Sequence, residues 1–128
     1  PTPHRSLEAM AIENMTEGCV RETFGALLGR WQATHAADPA VRRAMLRIAR
    51  DETRHAALSW QVADWLSSKL DAQAQSRVAK AKHKALAQLR KELTAAPDPQ
   101  LQAAAGLPSS QQALALFAQL EARLWAHE

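Results

Sequence analysis

From Ser6 to Leu66 the chain reads as helix on either side of one interruption, HAADPAV at residues 35–41, and this break most limits the folds open to it. Ser6 is placed to cap a helix running to about His35, its hydroxyl accepting from an otherwise unpaired first-turn amide. Along that helix Met10, Asn14, Glu17, Arg21, Phe24, Leu28 and Trp31 return every three or four positions, the spacing of one helical face. After the break, Asp38 can cap and Pro39 suits the first helical position, where its missing amide hydrogen costs nothing. The second helix should reach Leu66 with a stripe of Val41, Met45, Ile48, Glu52, His55, Ser59, Val62 and Leu66. Helices of about 30 residues would each be about 45 Å long, and so short a connection predicts an antiparallel hairpin. Gly18, Gly25 and Gly29 lie near one line of the first helix. Each weakens a helix by about 1 kcal/mol relative to Ala, so close approach of a neighbour is the expected reason for them.

Beyond the hairpin, a third helix fits Asp71 to about Leu93, with Ala74, Val78, Ala81, Ala85, Leu89 and Leu93 as its seam. The two prolines of AAPDPQ break it. GLPSSQQ then ends an Ala-rich patch and starts a last helix near Ser109 or Ser110, with Leu114, Phe117, Leu120, Leu124 and Trp125 on its apolar side. The apolar fraction of 47% rests on Ala and Leu, with four Gly and no Tyr, which favours helix over strand. The expectation is an all-α single domain over 1–128, with the hairpin at 6–66 and two additional helices at 71–128. No apolar run approaches the roughly 20 residues needed to cross a bilayer, and the first residues lack a signal-peptide core. A soluble chain with no membrane partner is therefore expected, the cytoplasm being the favoured compartment. The chain opens Pro-Thr-Pro without an initiator Met, as a processed chain or an excised fragment would. Cys19, the single cysteine, excludes an internal disulfide and a cysteine-based zinc site. A net charge of +3 demands neither nucleic acid nor membrane as partner.

The stretch ARDETRHAALSW, residues 49–60, sets Glu52 and His55 three positions apart on the apolar stripe. Such residues point about 60° from one another and can reach one metal ion from consecutive turns. Glu17, on the inner stripe of the facing helix, would add a third ligand. Burying two carboxylates costs several kcal/mol each unless a cation compensates, and His55 supplies at most one charge. The plainer alternatives are a buried ionic pair, or a helix rotated enough to leave both groups in water. Glu13, one turn before Glu17, is a candidate extra or bridging ligand. Glu22 points well away from Glu17 and is expected in solvent, as are His4, His35, His83 and His127. A carboxylate-rich set with one imidazole suits iron or manganese better than copper.

The arrangement of Glu17 on one long helix and Asp51-Glu52-Thr53-Arg54-His55 on the next resembles the ferritin-like di-iron carboxylate family, including rubrerythrin-type proteins. The resemblance covers residues 6–66. In that family the two-helix unit occurs twice, and the halves together hold two irons with four carboxylates and two histidines; this chain has the unit once. It implies one half of a four-helix bundle, completed by a twofold homodimer or by a missing N-terminal half, the dimer being preferred. It further implies iron, two ions per completed bundle, with manganese as the alternative ion, and dioxygen or peroxide as the reacting partner. Ferroxidase, peroxidase or oxygenase chemistry would follow, with no catalytic residues beyond the metal ligands. Asp51 would orient a metal-bound imidazole of the partner half from outside the ligand set; the plain alternative is a surface acid near Arg50 or Arg54.

Two other functions compete. The third helix carries Arg77, Lys80, Lys82, Lys84, Arg90 and Lys91, cations that could neutralise phosphates. No base-reading motif accompanies them, so a solvated face is the simpler expectation and nucleic acid the weaker one. The other is a metal-free bundle serving as an assembly scaffold. Trp31, Trp60, Trp65 and Trp125 are read as packing residues rather than electron relays.

Overall fold

The computed structural model describes residues 5–126, and its regular elements are five helices, with no strand among the described residues. Helix α1 is continuous from 7 to 35, but in three parts: an α-helical start Leu7–Glu13, a π-helical stretch Asn14–Glu22 and an α-helical run Thr23–His35. The others are α2 (Pro39–Ser68), α3 (Ala72–Leu93), α4 (Pro99–Ala105) and α5, which runs Ser110–Leu120 and ends in a π-helical turn, Glu121–Trp125.

The ends follow cap chemistry. Ser6 Oγ accepts from the Ala9 amide at 3.0 Å and Asp38 Oδ1 from Ala40 at 2.7 Å, with Pro39 opening α2. Asp71 caps α3, and Ser109 with Gln112 forms a reciprocal capping box on α5. The short α4 was not expected: Asp98 accepts from Gln100 and Leu101, Pro99 opens the helix, and Gly106 closes it at φ 70°. A Cβ on Gly106 would lie 2.4 Å from the Ala36 nitrogen, so α4 and its exit pack tightly on the α1–α2 turn.

The hairpin forms as the break at HAADPAV predicts, and two glycines set its register. A Cβ on Gly18 would stand 2.1 Å from Ser59 Oγ, and one on Gly29 would stand 3.2 Å from the Ala49 Cβ. Gly25 lies across from Glu52, at 3.7 Å from its Oε2. The paired numbers 18 and 59, and 25 and 52, both total 77, and 29 and 49 total 78, as antiparallel facing positions should. Asn14 Nδ2 and Cys19 Sγ both donate to the Ser59 carbonyl, at 2.9 and 3.5 Å, locking the same level.

The hydrophobic core lies on another side of α1. Val20 and Phe24 pack with Ala85, Leu86 and Leu89 of α3 and with Leu116, Phe117 and Trp125 of α5. The Trp125 indole donates to the Cys19 carbonyl at 2.9 Å, so this ring is both buried and satisfied. Two bidentate ion pairs hold α3 parallel to α1: Arg77 on Glu8 at 2.7 and 2.8 Å, and Arg21 on Glu92 at 2.6 and 3.1 Å. The arginines pull the Glu8 and Glu92 carboxyls below the usual carboxylate range. Helix α2 packs along α1 and along no other helix to a comparable extent. Its buried line is Ala49, Ala56, Ser59 and Leu66, rotated from the predicted stripe so that Ile48 is 48% exposed and His55 faces solvent.

The glycine contacts separate two substitutions of identical chemistry. Gly18→Ala should destabilise the fold by about 1–3 kcal/mol, because Ser59 must move and its hydroxyl is already bound to the His55 carbonyl. Gly25→Ala meets only ordinary contact and should be neutral or stabilising by up to about 1 kcal/mol through helix propensity. Urea unfolding of both variants measures the difference, and equal values would contradict the register described here.

Candidate metal centre

The π-helical stretch decides which acid of α1 meets α2. Bonds running from i to i+5 take an extra residue into each turn, so a stripe drawn at the α-helical spacing loses phase across residues 14–22. Val20, absent from that stripe, is fully buried, whereas Glu17, which lies on it, is exposed. Glu22 follows Val20 and precedes Phe24 by two positions each, so it stands on the side of α1 away from the core.

There it joins the two residues the sequence singles out on α2. One donor atom each of Glu22, Glu52 and His55 lie within 4.8 Å of one another. His55 Nδ1 is 4.0 Å from Glu52 Oε1, the expected consequence of a three-residue spacing on one helix. The register explains the third member: positions totalling 77 put Glu22 level with His55 and leave Glu17 level with Trp60. Gly25, one turn after Glu22, leaves the space over which the Glu52 carboxylate lies.

Glu17 is thus not part of this cluster, and Glu22, expected in solvent, is. The inner stripe of the first helix points to Glu17 instead, because the facing positions centre beyond residue 38 and the π stretch changes the rotation. The cluster is also less enclosed than a core stripe implies. Glu22 and Glu52 are half-buried, while the His55 side chain is 62% exposed. It opens on the side of α1 away from the core; on α2, Leu58 and Trp65 are also outside the core, 58% and 56% exposed.

The other candidates are engaged elsewhere. Asp51 is exposed and ion-paired with Arg54 of its own helix, the plain alternative for that residue, and Glu13 is ion-paired with Arg5. His35 stacks on Trp31 with ring centres 3.9 Å apart, and His83 is exposed. His4 and His127 lie outside the described residues. Of the six cations on α3, Arg77 is held by Glu8 and Lys82 is 5% exposed, leaving Lys80, Lys84, Arg90 and Lys91 on the surface. This thins the basic stripe that a phosphate backbone would need.

Two carboxylates and one imidazole make a hard to borderline donor set for a divalent cation. Among the described residues His55 is the one ion-pair partner of Glu52, so the group carries more negative than positive charge even with the imidazole protonated. The donor set therefore fits a cation. Cys19, in the same stretch of α1, is no ligand: burial pushes its thiol from 9.0 up to about 12, and it donates to the Ser59 carbonyl. Comparison with known protein families, curated proteins and solved structures gives no match.

The buried thiol yields a prediction. A neutral Cys19 favours the folded state, and that contribution is complete below pH 9 and is lost as pH rises from 9 towards 12. A chromogenic disulfide reagent at pH 8 should react with the folded chain far more slowly than with the urea-unfolded chain, and the thermal midpoint should fall above pH 9. Rapid reaction in the folded state would contradict the burial.

Proposed function

We propose that this chain is a ferritin-like di-metal carboxylate protein, with Glu22, Glu52 and His55 as one chain's contribution to a paired metal site. The observation that carries the reading is the convergence of three donor atoms within 4.8 Å from two facing helices. Two carboxylates and one imidazole supply half of the ligand set the family resemblance implies. The half-exposed flank on which they open is where a second half must approach. A second copy about a twofold axis would duplicate the three ligands and cover Ile48, Leu58 and Trp65 at the same time. In a longer chain, an upstream hairpin of the same kind would serve that role.

In this reading the residues have distinct tasks. Glu22 and Glu52 hold cations from opposite helices, His55 gives a neutral nitrogen, and Gly25 leaves Glu52 room to change how it binds. Asp51 would have to leave Arg54 to orient a partner imidazole. Iron is the expected ion and manganese the alternative. When bound, a ferrous pair supplies electrons to dioxygen or peroxide, which is ferroxidase, peroxidase or oxygenase chemistry.

Anaerobic loading with ferrous iron, followed by metal analysis and mass in solution, tests the ligand set and the pairing together. The expected result is about one iron per chain at twice the chain mass. Glu22→Ala and Glu52→Ala should each lower retention at least about tenfold with helicity unchanged, and Glu17→Ala should leave it intact. A folded dimer that retains no metal would replace this reading with an assembly scaffold. Loss on Glu17→Ala with retention in Glu22→Ala would overturn the ligand assignment.

A further inference from the structure

Away from the metal cluster, a cavity of about 290 Å³ lies between the start of α1, the end of α2 and the first half of α3. Met15, Trp60 and Val78 are among its apolar walls. The Trp60 ring is fixed in place, since its indole nitrogen donates to Thr23 Oγ1 at 3.1 Å. Two charged side chains of opposite sign line the same space at different depths. Lys82 of α3 is 5% exposed, whereas Asp64 of α2 is on the surface.

We propose that this cavity binds a small zwitterion with an apolar body, of the α-amino acid class. The volume sits at the lower end of the range for small-molecule sites, about 300–1,000 Å³, which calls for a compact guest. An apolar side chain against Met15, Trp60 and Val78 gains by leaving water. The guest carboxylate is directed inward to Lys82, whose ammonium carries three donors and can serve it alongside any contact it already makes. The guest ammonium stays at the mouth with Asp64. A lone anion would meet Asp64 unfavourably and a lone amine would meet Lys82, so the charge pair selects a molecule carrying both signs. The ligand cluster on the hairpin flank contributes no wall to this space, so the proposal stands apart from metal binding.

The test is calorimetric titration of the full chain with L-phenylalanine and L-leucine, compared with 3-phenylpropionate and 2-phenylethylamine. One amino acid per chain should bind, with each single-charge analogue at least about tenfold weaker. Lys82→Met, which keeps the buried stem, and Asp64→Asn at the exposed mouth should each weaken binding by a similar factor, and Ala79→Trp should abolish it by filling the space. Should Lys82→Met fail to fold, the surface variant Asp64→Asn carries the charge test. No saturable heat from either amino acid up to about 10 mM, equal binding of a single-charge analogue, or unchanged binding in Ala79→Trp would each overturn the proposal.

Discussion

The close approach of α1 to α2 at Gly18 and Gly29 is the constraint on which the site depends. At Gly18 there is no room for a side chain beside Ser59, and Ala49 leaves little at Gly29. Sliding α2 by one residue would also carry the Ser59 carbonyl away from Asn14 and Cys19. Register is therefore set by steric exclusion and hydrogen bonds, not by the acids themselves. Glu22 meets Glu52 and His55 because the glycines hold the helices there.

What could be read in the sequence was the chemistry that acts locally. The Asp38-Pro39 break, the Ser6 cap and the helix starts near Asp71 and Ser109 depend on a few neighbouring residues, and all stand where expected. The glycine line and the Glu52–His55 spacing were legible for the same reason. Glu22 was not, because its direction depends on a rotation accumulated through nine π-helical residues and on a level fixed by contacts across the hairpin. The short α4 did leave a signal: Asp98-Pro99 repeats the Asp38-Pro39 pattern that opens α2. Two nearby prolines outweighed it in a reading based on helix breakers.

Buried surface and site occupy different flanks of α1. On one, Val20 and Phe24 enter a core closed by α3 and by Trp125 of α5. On the other, small residues let α2 come near without contributing much apolar area: Gly18 against Ser59 and Gly29 against Ala49. Leu66 of α2 is buried and Trp60 packs on the core, but other large side chains of this helix stay outside, with Ile48, Leu58 and Trp65 about half-exposed or more. A helix held by close backbone approach gains dispersion contacts but little hydrophobic burial.

The π-helical stretch ties these features together. Such stretches are rare beyond a single turn, and they concentrate where function needs a side chain displaced from the α-helical path. Here the stretch begins at Asn14, which donates across to Ser59, and ends at Glu22, which joins the cluster. Between them Cys19 and Val20 are fully buried, and Cys19 uses its carbonyl for Trp125 and its thiol for Ser59. An uninterrupted α-helix would rotate the residues before the stretch relative to those after it, breaking either the Asn14–Ser59 bond or the Glu22 position. The two cannot both be kept at the α-helical spacing, so the wider turn is the geometry that lets one helix close a core, lock a register and present a carboxylate to its neighbour.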